Sequence, residues 1–241
     1  MTNNHSSYVD FLEGDVITTE FNKMEDKGYY LLNSNPKPSE QEVEAIEDSV
    51  GKNELRGDFQ SDTVPTKYFS WEQYRKEIRP EIKELWKKFM GIGINLDVNL
   101  LSRFENVGDT FQQGPIVVRF IPNSAAASLK RSHPCRDGLS IWRPIRNSLG
   151  PENGMFKVYP GSHHVETIGE LQSSGIKPVE VWVRADQVLF THGGLWIETL
   201  GSGGGTLMWM GVSTHLVGLH IDRYSLHFIA DAYSASHLLS R

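Results

Sequence analysis

The chain is expected to fold as a mainly β domain, a sandwich or barrel packed against helices gathered at its start. Three observations predict this. From Ile116 onward the apolar residues alternate or run continuously in short stretches, separated by Gly, Pro, Asn and Ser clusters, which is the pattern of strands and turns. The best helical stripe lies before those stretches rather than between them, which argues against alternating βαβ units. The 241 residues show no internal repeat and suit one domain, 1–241, with a sizeable core.

Residues 1–66 read as an N-terminal segment and loop. Phe21 to Lys27 has helical character, Gly28 stops it, and Tyr29 to Leu32 follows as a brief strand. Asn33 to Thr66 is polar and acidic, with Pro36, Pro38 and Pro65, and reads as loop with a short helix at Glu40 to Asp48. Residues 67–115 read as a helical layer built on one long helix, Ser70 to Phe89. Trp71, Tyr74, Ile78, Ile82, Leu85 and Phe89 form its apolar stripe, Ser70 and Gln73 form a capping box, and Lys87 and Lys88 suit the negative end of the dipole. Pro80 is expected to bend this helix and Gly91 to end it.

Residues 116–230 read as the β core. Its expected strands are Ile116 to Ile121, Leu139 to Ile145, Met155 to Tyr159, Val179 to Val183, Gln187 to Thr191, Thr206 to Val212 and Tyr224 to Ala230. The run Gly201 to Gly205 lacks the Lys-Ser/Thr of a phosphate loop and reads as a turn.

Composition narrows the function. Lys and Arg total 24 against 30 Asp and Glu, a formal charge of -6, and the basic residues are scattered, so neither nucleic acid nor a membrane surface is an expected partner. The single cysteine, Cys135, excludes an intrachain disulfide framework. The first ten residues lack a signal-peptide layout and no apolar run approaches the roughly 18 residues of a membrane span, so a soluble, cytoplasmic protein is expected.

The tail carries the chemistry-bearing pattern. His215 is followed eight positions later by Arg223-Tyr224-Ser225. An imidazole donates a neutral nitrogen to Fe(II), while a guanidinium fork and a hydroxyl suit a carboxylate. Alone, His215 reads as a polar residue at a strand end and Arg223 as the partner of a surface carboxylate such as Asp222; their spacing favours a site. Further ligands would come from Ser132 to Trp142. There His133 is open to ligand and loop readings, Asp137 before Gly138 is also a turn residue, and Cys135 is also a small buried hydrophobe. His220 and Asp222 read as loop, His163 and His164 as a solvated turn, and His192 as a reserve ligand.

These motifs resemble the iron(II)/2-oxoglutarate-dependent oxygenases of the isopenicillin N synthase-like group. The likeness includes Gly28 to Leu32, Phe89 to Ile94, Leu100 to Phe104 and Val118-Arg119-Phe120-Ile121-Pro122. It continues through His133 to Ile141, His215-Leu216-Val217 and Arg223-Tyr224-Ser225-Leu226-His227-Phe228. A gapless match puts Cys135 where that family carries its ligating aspartate; Asp137 comes two residues later, about 7 Å along a strand. The stretch Asn153 to His163, with Pro160-Gly161-Ser162-His163, is more similar to phytanoyl-CoA dioxygenase-like proteins. In their register Ile197 stands at the place of the distal histidine, His192 is too early, and no arginine follows about ten residues on.

The resemblance implies a double-stranded β-helix, a jelly-roll or cupin-like barrel, with an N-terminal helical layer. It implies Fe(II) held by His133, Asp137 and His215, with Cys135 and His192 in reserve. It also implies 2-oxoglutarate held by Arg223, Ser225 and Arg119, and its decarboxylation to succinate as the substrate loses hydrogen. Trp142, Trp196 and Trp209, with Trp182, are candidates to line a cavity for a small, largely apolar molecule, as in specialised-metabolite pathways; the alternative for each is ordinary core. The rival expectation is a catalytically impaired member of the fold, serving as a partner subunit to an active paralogue. A homodimer is the other assembly considered, and a plain β-sandwich binding module the third reading.

Overall fold

The computed structural model describes residues 23–34, 36–52, 66–70, 80–91, 111–120, 129–133 and 135–213. Ten strands fall within them: β1 Tyr29–Asn33, β2 Thr66–Ser70, β3 Phe111–Phe120, β4 Leu129–Arg131, β5 Leu139–Pro144, β6 Lys157–Val158, β7 Val179–Glu180, β8 Gln187–His192, β9 Trp196–Glu198 and β10 Thr206–Ser213. They form two antiparallel sheets, one ordered β1-β8-β5-β10-β3-β2 and the other β4-β9-β6-β7. Among the described residues the chain is helical at 23–27, and three further α-helices are α1 Glu40–Lys52, α2 Pro80–Gly91 and α3 Ile168–Ser174.

Strand alternation sorts the six-stranded sheet into two apolar faces. Ile116, Val118, Phe120, Trp142, Leu189, Leu207 and Trp209 belong to one buried cluster with Val158, Val181, Val183, Leu195 and Ile197, so this face and the smaller sheet enclose the interior. Val117, Ile141, Val188, Phe190, Met208 and Met210 belong to a second cluster with Val43 and Ile46 of α1 and Trp86, Phe89 and Met90 of α2. β5 is buried along its whole length because both of its faces are covered.

Local chemistry sets the ends. Ser39 caps α1: its hydroxyl accepts from the Glu42 N–H at 3.3 Å while the Glu42 carboxylate accepts from the Ser39 N–H at 2.9 Å. Thr167 and Glu170 do the same for α3, which Gly175 closes at φ +74. Two buried polar links hold the helices. The Trp86 indole N–H donates to Ser49 Oγ at 2.7 Å, and the Arg143 guanidinium on β5 donates to the Phe89 carbonyl at 2.9 Å and to Ser34 Oγ at 2.8 Å.

The structure corrects several sequence expectations. Ser70 does not cap a long helix; it ends β2, paired with Ile116, and the helix begins at Pro80. Proline lacks an N–H and its fixed φ suits a first helical turn, so Pro80 starts α2 rather than bending it. The helix at Glu40 runs on to Lys52, and β3 begins at Phe111, inside the expected helical layer. Strands β2, β4 and β9 and helix α3 were not expected from the sequence. Only Val179–Glu180 of the expected Val179 to Val183 strand is ladder, with Val183 bridging Leu149. The expected strand Tyr224 to Ala230 lies outside the described residues.

Candidate functional site

The segment that follows β4 is fastened to the end of β8. The Ser132 N–H donates to the Leu195 carbonyl at 2.9 Å and its hydroxyl to the His192 carbonyl at 2.6 Å; Ser140 Oγ donates back to the Ser132 carbonyl at 2.6 Å. The Gly193 N–H donates to the Gly138 carbonyl at 2.6 Å. A β-carbon on Gly193 would lie 2.1 Å from the Cys135 carbonyl oxygen, so this close backbone approach requires glycine. Nothing in the sequence shows that Gly193-Gly194 receives the Cys135 loop.

His133 is fully buried, its ring centroid 5.9 Å from that of Trp209 on the inner face. Burial pushes its pKa down to about 4, partly opposed by the Cys135 backbone, so the ring is neutral at ordinary pH. Nδ1 sits 2.9 Å from the Cys135 N–H nitrogen and 3.0 Å from the Cys135 carbonyl oxygen. Both tautomers are therefore served: Nδ1 accepts from the N–H and leaves a proton on Nε2, or donates to the carbonyl and leaves Nε2 a bare lone pair. Nε2 is buried with no hydrogen-bond partner among the described residues.

The other expected ligands are placed differently. Asp137 is exposed in the turn that precedes β5. Cys135 is half-buried, and burial pushes its thiol pKa up while the Asp137 and Gly138 N–H groups donate to it. Among the described residues no group of three His, Cys, Asp or Glu side chains is arranged to hold a metal. His215, Arg223 and Ser225 lie outside the described residues. Alternation puts Arg119 on the face of Val117, toward the helices and away from the interior.

His192 packs its ring 4.9 Å from that of His163, and its Nδ1 accepts from the Gly194 N–H at 3.1 Å. His163 is not a solvated turn residue: it is buried, and its Nε2–H donates to the Glu25 carbonyl at 3.0 Å. The Pro-Gly-Ser-His stretch is thus a clasp. Gly161, at φ +77, donates to the Lys27 carbonyl at 2.9 Å, and Ser162 Oγ accepts from the Trp196 N–H at 3.0 Å. His164 is exposed.

Trp142 and Trp209 stand on the inner face, 6.2 Å apart, with the Trp142 indole N–H donating to Thr191 Oγ1 at 2.9 Å. Trp196 is corrected to the opposite face of the small sheet. There the Arg131 guanidinium covers it at 3.9 Å while donating to the Val165 and Glu166 carbonyls at 2.6 and 2.7 Å. Trp182 is 56% exposed and lines nothing internal. Sequence reasoning passed over Lys130. In the β4–β9 register Lys130 pairs with Ile197, an interior residue, whereas Arg131 pairs with Trp196. Lys130 therefore stands on the inner wall, and burial pushes its pKa down to about 8. The signal missed was the short strand itself.

No protein-family model matches the chain, and no curated protein matches it. Solved structures do. SnoN, a non-heme alpha-ketoglutarate-dependent epimerase from nogalamycin biosynthesis, matches with a TM-score of 0.56 at 14% identity over 82% of each chain. HygX from Streptomyces hygroscopicus, crystallised with nickel, 2-oxoglutarate and hygromycin B, matches with a TM-score of 0.56 at 14% identity over 82% of this chain and 86% of its own. SnoK, a non-heme alpha-ketoglutarate-dependent carbocyclase also from nogalamycin biosynthesis, matches with a TM-score of 0.55 at 17% identity over 86% of this chain and 90% of its own. At such identities the likeness is one of fold: the chain shares the architecture of these non-haem, 2-oxoglutarate-dependent enzymes.

Proposed function

We propose that the chain is a double-stranded β-helix oxygenase of the iron(II)/2-oxoglutarate-dependent kind, acting on a small, largely apolar molecule in specialised-metabolite biosynthesis. The observation that carries this reading is the buried, neutral His133, whose Nε2 meets no partner among the described residues beside the Trp209 ring. An imidazole kept neutral and dry, with its other nitrogen held by the Cys135 backbone, is the donor a divalent iron needs. The SnoN and HygX likeness supports the general kind of function through the shared fold.

The remaining donors qualify the fit. His133 fits a metal; the exposed Asp137 and the protonated Cys135, as placed, do not complete a set with it. His215 is the proposed distal ligand. Val212 pairs with Leu139, so β10 ends beside the segment that carries His133. When bound, iron would supply the oxygen chemistry. The chain's own share is an immobile imidazole and an aromatic interior that excludes water.

A second reading is a catalytically impaired partner subunit of an active paralogue. The exposed Asp137 favours it, together with an interior filled by Trp142, Phe156, Leu149, Met155 and Trp209. Anaerobic titration with Fe(II) and 2-oxoglutarate separates the two. A weak visible charge-transfer band that His215→Ala abolishes and Cys135→Ala spares supports the oxygenase; no band in the pure chain supports the partner subunit.

A further inference from the structure

Ser132 is the residue at which the chain leaves the small sheet. Its N–H extends the β4–β9 pairing by donating to the Leu195 carbonyl at 2.9 Å, but its carbonyl turns to the large sheet and accepts from Ser140 Oγ on β5 at 2.6 Å. Its own hydroxyl donates to the His192 carbonyl, so one residue is tied in three directions. Peptide groups are planar, and the Ser132 carbonyl therefore lies in one rigid plane with the His133 nitrogen and Cα. Fixing that oxygen fixes the plane from which the His133 side chain starts.

Ser140 is fully buried on a strand whose neighbouring residues are Leu139, Ile141 and Trp142. On the inner face its row holds Thr191 of β8 and Gly211 of β10, whereas the next row holds Trp142, Leu189 and Trp209. A hydroxyl buried there costs free energy unless it is bonded, and its bond goes to the peptide in front of His133. The imidazole is held along one edge: Nδ1 lies against the Cys135 backbone, and Nε2 meets no partner among the described residues. Where Nε2 sits thus depends on the main chain behind the ring.

We propose that Ser140 is a positioning residue for His133: its hydroxyl, acting through the Ser132 carbonyl, holds the imidazole at the depth and angle at which Nε2 serves as a metal donor. The service of His133 to a metal rests on the oxygenase reading, whereas its anchoring by Ser140 does not. A hydroxyl on a central strand is a firm support for such a donor, because β5 is paired on both sides.

The test compares the full chain with Ser140→Ala, which removes the hydroxyl, and Ser140→Thr, which keeps it. Metal-free protein at neutral pH is treated with diethyl pyrocarbonate, which acylates accessible neutral imidazoles, and each histidine is followed by peptide mass mapping. Exposed His164 is expected to react quickly, and buried His133 and His163 slowly. In Ser140→Ala the His133 rate should rise about fivefold, the scale of one net hydrogen bond, with His163 unchanged, and Ser140→Thr should restore it. A general loosening of the fold would speed both buried rings. An unmoved His133 rate in Ser140→Ala, an equal rise at His163, or no recovery in Ser140→Thr would overturn the proposal. If Ser140→Ala does not fold, Ser140→Cys, similar in shape but a weaker donor, should show a smaller rise in the same direction. Fe(II) and 2-oxoglutarate are then added: Ser140→Ala should weaken the affinity that forms the charge-transfer band about tenfold, and an equal affinity would overturn the metal-holding role. A band absent from the unaltered chain as well would end the oxygenase reading, while the acylation rates still decide whether Ser140 anchors His133.

Discussion

Gly138 lies directly against the ring of His133: a β-carbon there would be 2.3 Å from Nδ1 and 2.6 Å from Cε1. The glycine that follows Asp137 thus leaves room for the imidazole and holds it in place. Gly138→Ala must push the ring out or shift the loop, and overpacking of this kind costs about 1–3 kcal/mol. Urea denaturation is expected to show that loss. In the oxygenase reading the same variant also weakens iron binding; full stability in Gly138→Ala would show that the ring moves freely.

His133 should also make the fold sensitive to acid. Its folded-state pKa of about 4 lies below the ordinary 6.5, so burial of the neutral ring stabilises the fold fully above pH 6.5, and this is lost as pH falls toward 4. A fall from 6.5 to about 4 corresponds to about 3 kcal/mol. His133→Asn should flatten the stability profile between pH 6.5 and 4. The Glu42 carboxyl is held down to about 2 chiefly by the Ser39 N–H, so its contribution starts to fall below about pH 4.5 and is gone below about 2, mostly beneath that window.

Asp137→Ala is expected to leave stability within about 0.5 kcal/mol of the parent, as exposed substitutions do. Its effect on iron affinity bears on the ligand set. An unchanged affinity refutes Asp137 as the carboxylate donor, whereas a loss of tenfold or more, about 1.4 kcal/mol, means that the turn rearranges around the metal.

Arg143→Met should be among the costlier substitutions. It strands the Phe89 carbonyl at the end of α2 and removes the bond to Ser34 Oγ, both buried. A loss of about 2–3 kcal/mol in unfolding free energy, read from urea denaturation, is expected. Arg143→Lys should recover only part of it, since an ammonium cannot reproduce the fork that reaches both acceptors.

The long strands were legible because their apolar residues carry the period of a two-faced sheet: β5, β8 and β10 agree with the expected stretches to within one residue at each end. Strands β4 and β9 were not, since three residues contain too little alternation to register; tertiary pairing makes them strands. For the same reason Lys130 escaped notice. The helical stripe over Ser70 to Phe89 misled at its start because Ser70 and the residues before it pair with β3, a long-range contact that local propensity does not see.

By itself the sequence determined a mainly β chain, and it singled out His133, Asp137 and His215 as residue types able to hold a metal. Periodicity and side-chain chemistry are local properties and can be read along one dimension. Tertiary structure alone decided that His133 is buried and neutral while Asp137 faces solvent, and that Trp196 and Arg119 point away from the interior. It also decided that His163 clasps the start of the chain and that Lys130 stands on the inner wall. Burial, register and facing direction depend on which distant segments meet, and that information exists only once the two sheets have closed on each other.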